Sequence, residues 1–188
     1  MPFQGSEITT LVKDDLFEIL SVPVKHSIPA VAYCFKEKDK VNVHIEKAMD
    51  YGLKQGPLIG KLKDRGFIEV KGKKVTLEDV GYTKKGLKVV YSGDTRPSNT
   101  IVALAESADL LIHEATFGQE LDDSLDRAHT RASDAGEIAK KAGAKKLILT
   151  HFSRRYQDVT PLVDEAKKIF PNTEGARDFL NINVKSTD

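Results

Sequence analysis

The chain has 188 residues, 40% hydrophobic and 30% charged, with 29 Lys and Arg against 28 Asp and Glu. That near-neutral mixture excludes a disordered chain and the globally basic profile of a nucleic-acid coat. A lone cysteine, Cys34, no apolar run near the roughly 18 residues that cross a bilayer, and no signal pattern after Met1 leave a soluble cytoplasmic protein as the expectation, without disulfides, a Cys-rich zinc site or a membrane partner.

Taken in chain order, the first predicted element is extended. Leu16 to Val24 is rich in apolar and β-branched residues and runs straight into His26, and Ile28 to Phe35 reads as its hairpin partner. The charged run Lys36 to Lys40 then opens a different composition. Val41 to Leu53 fits a short helix, and Gly56, Gly60, Gly66, Gly72 and Gly81 punctuate strand-like pieces at 67–70 and 74–77. Between Lys54 and Lys74 stand seven basic residues (Lys54, Lys61, Lys63, Arg65, Lys71, Lys73, Lys74) and two acidic ones, Asp64 and Glu69. This stretch, about 41–85, has no regular period and is expected to be a flexible inserted arm that protrudes from the domain.

Beyond Gly86 the pattern is regular. Leu87 to Tyr91 reads as a buried strand ending in Ser92-Gly93-Asp94-Thr95, followed by a helix capped by Ser98 and running to Ser107. Leu110 to Ile112 is a strand ending in His113-Glu114, and Arg131 to Ala142 has helical spacing that stops at Gly143. Lys146 to Thr150 is a strand ending in His151, Asp158 to Phe170 a helix, and Phe179 to Val184 a closing strand. Alternation of this kind predicts an α/β fold built on parallel crossovers.

Polar residues recur where buried strands end: Asp94, His113-Glu114 and His151, with His26 after the first extended run. In open α/β sheets such residues converge on one rim, where ligands bind. A carboxylate there can bridge two cations, and an imidazole on a strand end can offer one nitrogen to a metal. Taken singly, each has a plainer reading, as a hydrogen-bonded rim histidine or an Asx turn.

Together they are more specific. Val24-Lys25-His26, Tyr91 to Pro97, Leu110 to Phe117, Ala128-His129-Thr130 and Leu147 to Tyr156 follow one another as in the C-terminal half of the ribonuclease Z family. The resemblance runs from about residue 12 to the end and includes Gly56-Pro57-Leu58, similar to the foot of the family's tRNA-binding arm. It implies half of a metallo-β-lactamase αββα sandwich spanning 1–188, in a zinc-dependent endoribonuclease that removes 3′ trailers from precursor tRNA. His26 and His151 would each hold one zinc and Asp94 would bridge both. His129 would stand beside the scissile phosphate, with Glu114 orienting a histidine, and Arg155 and Ser153 on substrate phosphate. Lys61, Lys63 and Arg65 would grip the tRNA, and no DNA partner is expected. His44 has no counterpart and reads as a solvated side chain, and His113 as a satisfied core or rim histidine.

The family's His-x-His-x-Asp-His motif does not occur in the 188 residues. A catalytic zinc commonly takes three protein ligands and a water, so two zincs sharing three side chains would be held weakly, and the chain alone would be an incomplete enzyme. A half-sandwich also leaves an apolar sheet face to cover, which points to a homodimer or a separate N-terminal half. The alternatives are a tRNA-binding remnant without chemistry and another phosphodiesterase of the superfamily. Where the family carries His-Ser-Thr this chain has His129-Thr130-Arg131; the Thr130 hydroxyl is expected to cap the following helix.

Overall fold

The computed structural model describes residues 6–120 and 128–185, which divide into two compact units. One unit comprises the chain up to Glu37 and from Leu87 onward; the other is Lys38–Gly86.

The first unit opens with three strands, β1 (Thr9–Lys13), β2 (Phe17–Val24) and β3 (Ala30–Glu37), paired antiparallel in sequence. The second unit contains β4 (Lys40–Val43), α1 (Ile45–Asp50), α2 (Pro57–Arg65), β5 (Phe67–Val70), β6 (Lys73–Thr76), α3 (Leu77–Val80) and β7 (Gly81–Lys84). There β4 pairs with β7 and β5 with β6, both antiparallel. The stretch without a regular sequence period therefore carries regular elements and its own buried cluster, among them Val43, Leu53, Leu62, Val75 and Val80. Glycine spacing hid α2: Pro57 sits in its first turn, where its missing N–H costs nothing, and Gly66 ends it at φ 78°.

The chain then completes the first unit with β8 (Lys88–Tyr91), α4 (Asn99–Leu104), β9 (Leu110–Glu114), α5 (Ala132–Ala142), β10 (Leu147–Thr150), α6 (Thr160–Ile169) and β11 (Thr173–Gly175). The sheet order is β1-β2-β3-β8-β9-β10-β11, antiparallel as far as β8 and parallel beyond it. The α/β expectation holds, with one correction at its end. The last strand is Thr173–Gly175, directly after α6, and residues 179–184 form no strand. Their alternating apolar pattern mimics one, but β10 already takes its outer partner from Thr173–Gly175.

Helices α4, α5 and α6 bury Ile101, Leu104, Ala135, Ile138, Ala139, Leu162 and Ala166 against Val22, Ala32, Cys34, Val90, Leu111, Leu147 and Leu149 of the sheet. Small residues let α5 and α6 approach closely: a Cβ at Gly136 would lie 3.1 Å from the Ala166 carbonyl oxygen. The opposite sheet face is open around β3, where Ala32 and Cys34 are fully buried but Tyr33 and Phe35 are 43% and 40% exposed. Tyr33 lies beside Tyr91 in the register, and the Phe35 and Phe17 rings are 5.3 Å apart. Among the described residues no helix is long and apolar enough to cross a membrane.

Candidate active site

The site is built at the carboxyl ends of β8, β9 and β10. Beyond Tyr91 the chain turns at Gly93, φ 60°, where a Cβ would sit 2.8 Å from the Val31 carbonyl oxygen. Glycine is required there by both measures, and the turn presents Asp94. At the end of β10, His151 adopts φ 58°, a left-handed conformation uncommon for a side chain of this size.

Glu114 organises the centre. It is 1% exposed, yet all its acceptor capacity is used. Oε1 accepts from the Thr95 amide at 2.9 Å and from His129 Nδ1 at 2.9 Å. Oε2 accepts from the Thr116 amide at 3.1 Å and the Thr116 hydroxyl at 2.8 Å. Four donors stabilise the ionised carboxylate and compensate for its burial.

These bonds fix two histidine tautomers. The Thr116 hydroxyl spends its one proton on Glu114, so at His151 Nδ1, 2.8 Å away, it accepts. His151 therefore carries its proton on Nδ1, and the Nε2 lone pair faces Asp94 Oδ2 at 3.4 Å. A lone pair and a carboxylate oxygen in apposition lack the positive charge that would join them. A metal cation would supply it. His129, by the same logic, gives Nδ1–H to Glu114 and keeps Nε2 available.

The ring of His129 stacks on His151 at 5.2 Å and meets the edge of His26 at 5.2 Å between centroids. His26, Asp94, His129 and His151 are thus brought together. Glu114, His129 and His151 offer ligand atoms within 4.8 Å of one another, but the four bonds on Glu114 leave it no free lone pair aimed at a cation, which favours an orienting part. Arg155 places its guanidinium over the Phe117 ring at 4.9 Å, and that ring stands edge-on to His129 at 6.1 Å. Ser153 is half-buried nearby, its amide bonded to the Thr116 carbonyl at 3.1 Å.

Other expectations change. The Thr130 hydroxyl donates to the Thr95 carbonyl instead of capping α5, whose N-cap is Arg131; it ties the Asp94 turn to the His129 segment. His44 is exposed but rests on the Tyr82 ring at 4.4 Å. His113 is buried, and one ring nitrogen, Nε2, has no partner among the described residues, so it is not the satisfied histidine expected. Sequence reading also missed Thr95 and Thr116. A hydroxyl two residues past a strand-end Glu was the available signal for Thr116. In Lys38–Gly86, Lys61, Lys63 and Arg65 are exposed, with Lys63 bonded to Asn42 at 3.1 Å and Lys74 over the Phe67 ring at 4.6 Å.

Residues 72–152 match the Beta-lactamase superfamily domain. Ribonuclease Z of Methanothermobacter thermautotrophicus is 43% identical over 95% of this chain, and that of Bacillus licheniformis 44% identical over 95%. Over nearly its whole length the chain is similar to the ribonuclease Z family. It spans 59% and 60% of the length of those two relatives. Among solved structures, human tRNase Z, short form, aligns over 96% of this chain and 48% of its own, with a TM-score of 0.58 and 24% identity. The metallo-β-lactamase fold protein YhfI from Bacillus subtilis aligns over 92% and 50%, with a TM-score of 0.56 and 22% identity. Both likenesses establish the fold: a metallo-β-lactamase-type α/β architecture.

Proposed function

We propose that this chain carries part of a ribonuclease Z-type endoribonuclease that releases 3′ trailers from precursor tRNA in the cytoplasm. The observation that carries the reading is the rim cluster, where the His151 lone pair faces Asp94 beside the Glu114–His129 pair. His26, Asp94 and His151 would hold Zn2+, weakly or at partial occupancy with these three side chains alone. When bound, the metal supplies Lewis acidity to the phosphodiester. His129, protonated, would be the catalytic acid, passing its Nε2 proton to the leaving 3′-oxygen while Glu114 steadies the imidazolium. Arg155 and Ser153 would position the substrate phosphate, for which a guanidinium fork is well shaped.

The segment 41–85 would act as a tRNA-binding arm, with Lys61, Lys63 and Arg65 as phosphate contacts and RNA shape as the recognised feature. A second copy, or a separately supplied N-terminal half, would cover the open face around Tyr33 and Phe35.

The test combines zinc titration calorimetry with precursor-tRNA binding and cleavage. The 188-residue chain should bind zinc weakly, lose that binding in His151→Ala, and cleave far more slowly than the longer Methanothermobacter relative. Its tRNA affinity should fall linearly on a log–log plot against salt, with about one unit less slope per contact removed in a Lys61→Glu, Lys63→Glu variant. Robust zinc-dependent trailer release abolished by Asp94→Ala would show the site to be complete in this chain. Absence of both zinc and tRNA binding would overturn the reading.

A further inference from the structure

Strands β8 and β9 part company just where the site begins. Their register runs from Val89↔Leu110 to Tyr91↔Ile112, and its last main-chain rung is the Ser92 amide on the Ile112 carbonyl at 3.0 Å. The next residue of β9 due a rung is Glu114, whose amide and carbonyl a regular parallel neighbour would bind through its own main chain. Here the neighbour has turned away at Gly93. Both groups of Glu114 are nevertheless satisfied, and both by side chains. The Glu114 amide donates to Ser92 Oγ at 3.0 Å, and His113 Nδ1 lies 2.7 Å from the Glu114 carbonyl oxygen.

The chemistry of the two partners is fixed. A carbonyl only accepts, so the His113 proton is on Nδ1, and Nε2 is left as a lone pair without a partner in a fully buried ring. A leucine or phenylalanine beside Leu149 would fill that slot without orphaning a ring nitrogen. What the imidazole supplies that they could not is the Nδ1–H. Ser92, fully buried, is equally committed: its hydroxyl donates to the Gly93 carbonyl at 2.7 Å, so the oxygen it turns to Glu114 is an acceptor.

We infer that Ser92 and His113 are positioning residues, standing in for the missing β8 rung at Glu114 and thereby holding its carboxylate against His129. With the rung supplied by side chains, the Gly93–Thr95 turn is released from the sheet, and the Thr95 amide reaches Glu114 Oε1 from the side. The same substitution lets Asp94 stand out from the sheet. The inference rests on the reading of Glu114 and His129 as the proton-handling pair, but its evidence is read without substrate or metal.

The experiment is long-range proton–nitrogen NMR of the imidazoles in the metal-free chain, with thermal melting recorded alongside. In the native protein His129 should show a protonated, hydrogen-bonded Nδ1. His113→Phe keeps the ring and removes the donor; loss of the His129 Nδ1–H signal is expected. His113→Asn places an amide N–H near the Nδ1 position and should restore it. Ser92→Ala, which removes only the hydroxyl, should weaken the same signal and serves if His113→Phe does not fold. An unchanged His129 signal in either folded variant, or no restoration in a folded His113→Asn, overturns the inference. Failure of tRNA cleavage or zinc binding leaves these spectra unaffected and speaks to the functional reading alone.

Discussion

Two carboxylates show how differently the two units use the same chemistry. Glu114 in the sheet unit is 1% exposed and accepts four hydrogen bonds from three residues on separate segments. Asp79 in Lys38–Gly86 is exposed and accepts two, both from Thr76 three residues earlier, at 2.7 and 2.8 Å. The Thr76 amide and hydroxyl hold the Asp79 carboxyl below the usual carboxylate range. One carboxylate joins distant pieces of chain, and the other closes a local capping box at the start of α3. The cores follow suit. Sheet and helices share one extensive cluster built from α4, α5, α6 and five strands, while Lys38–Gly86 rests on a few side chains around Leu53, Leu62 and Val75. Glu114 accepts from a residue as far as 19 positions away, and Asp79 from one 3 positions away.

The sharpest way to break this contrast is Glu114→Ala. It strands the Thr95 and Thr116 amides, the Thr116 hydroxyl and His129 Nδ1–H in a buried setting. A loss of about 4 kcal/mol is expected, read as faster native-state hydrogen exchange in β9 and β10 with Lys38–Gly86 unchanged. Leu62→Ala is the converse test. Leu62 is fully buried in the smaller core, and removing it costs about 3 kcal/mol. Amides of α2, β5 and β6 should exchange at close to unprotected rates while the sheet unit keeps its protection.

Acid should separate the units as well. Burial holds His113 neutral, its pKa below the ordinary 6.5. The unfolded chain therefore binds one more proton below pH 6.5, and stability falls as pH drops through that value, by at most about 1.4 kcal/mol per unit. Urea midpoints between pH 7 and 5 should fall more steeply for the native protein than for His113→Asn. The smallest effect concerns the local box: Thr76→Ala should cost about 1 kcal/mol, confined to exchange in α3 and its neighbours. A larger or wider effect would mean that Lys38–Gly86 is held by more than local bonds.

Much of the sheet unit was legible in the sequence because its signals are local. Apolar runs marked β2, β8, β9 and β10 to within a residue or two, and Ser98 caps α4 as expected, its hydroxyl 3.4 Å from the Ile101 amide. Asp94 and His151 were singled out because strand ends converge in such folds, and His129 through the resemblance to ribonuclease Z alone. The errors have equally physical origins. β1 (Thr9–Lys13) was missed because it is exposed along its whole length and has no buried face to impose a pattern. Helix α2 was hidden by the glycines and proline that in fact sit inside and at its ends. The strand expected near Phe179 lost its place to Thr173–Gly175, a matter of which segment reaches β10 first.

What the sequence by itself determined is the alternation of strands and helices, the polar residues at the strand ends, and a surplus of positive charge in one stretch. These depend on residue type and spacing along the chain. Tertiary structure alone decided which proton each imidazole carries and which side chains complete Glu114. It also decided that the Thr130 hydroxyl ties two loops instead of capping a helix. Several of those outcomes turn on bonds between residues far apart in the chain, 22 positions for Ser92 to Glu114 and 35 for Thr116 to His151 and for Thr130 to Thr95. Hydrogen bonds are set by distance and angle in space, and residue order fixes neither until the sheet has brought the strand ends together.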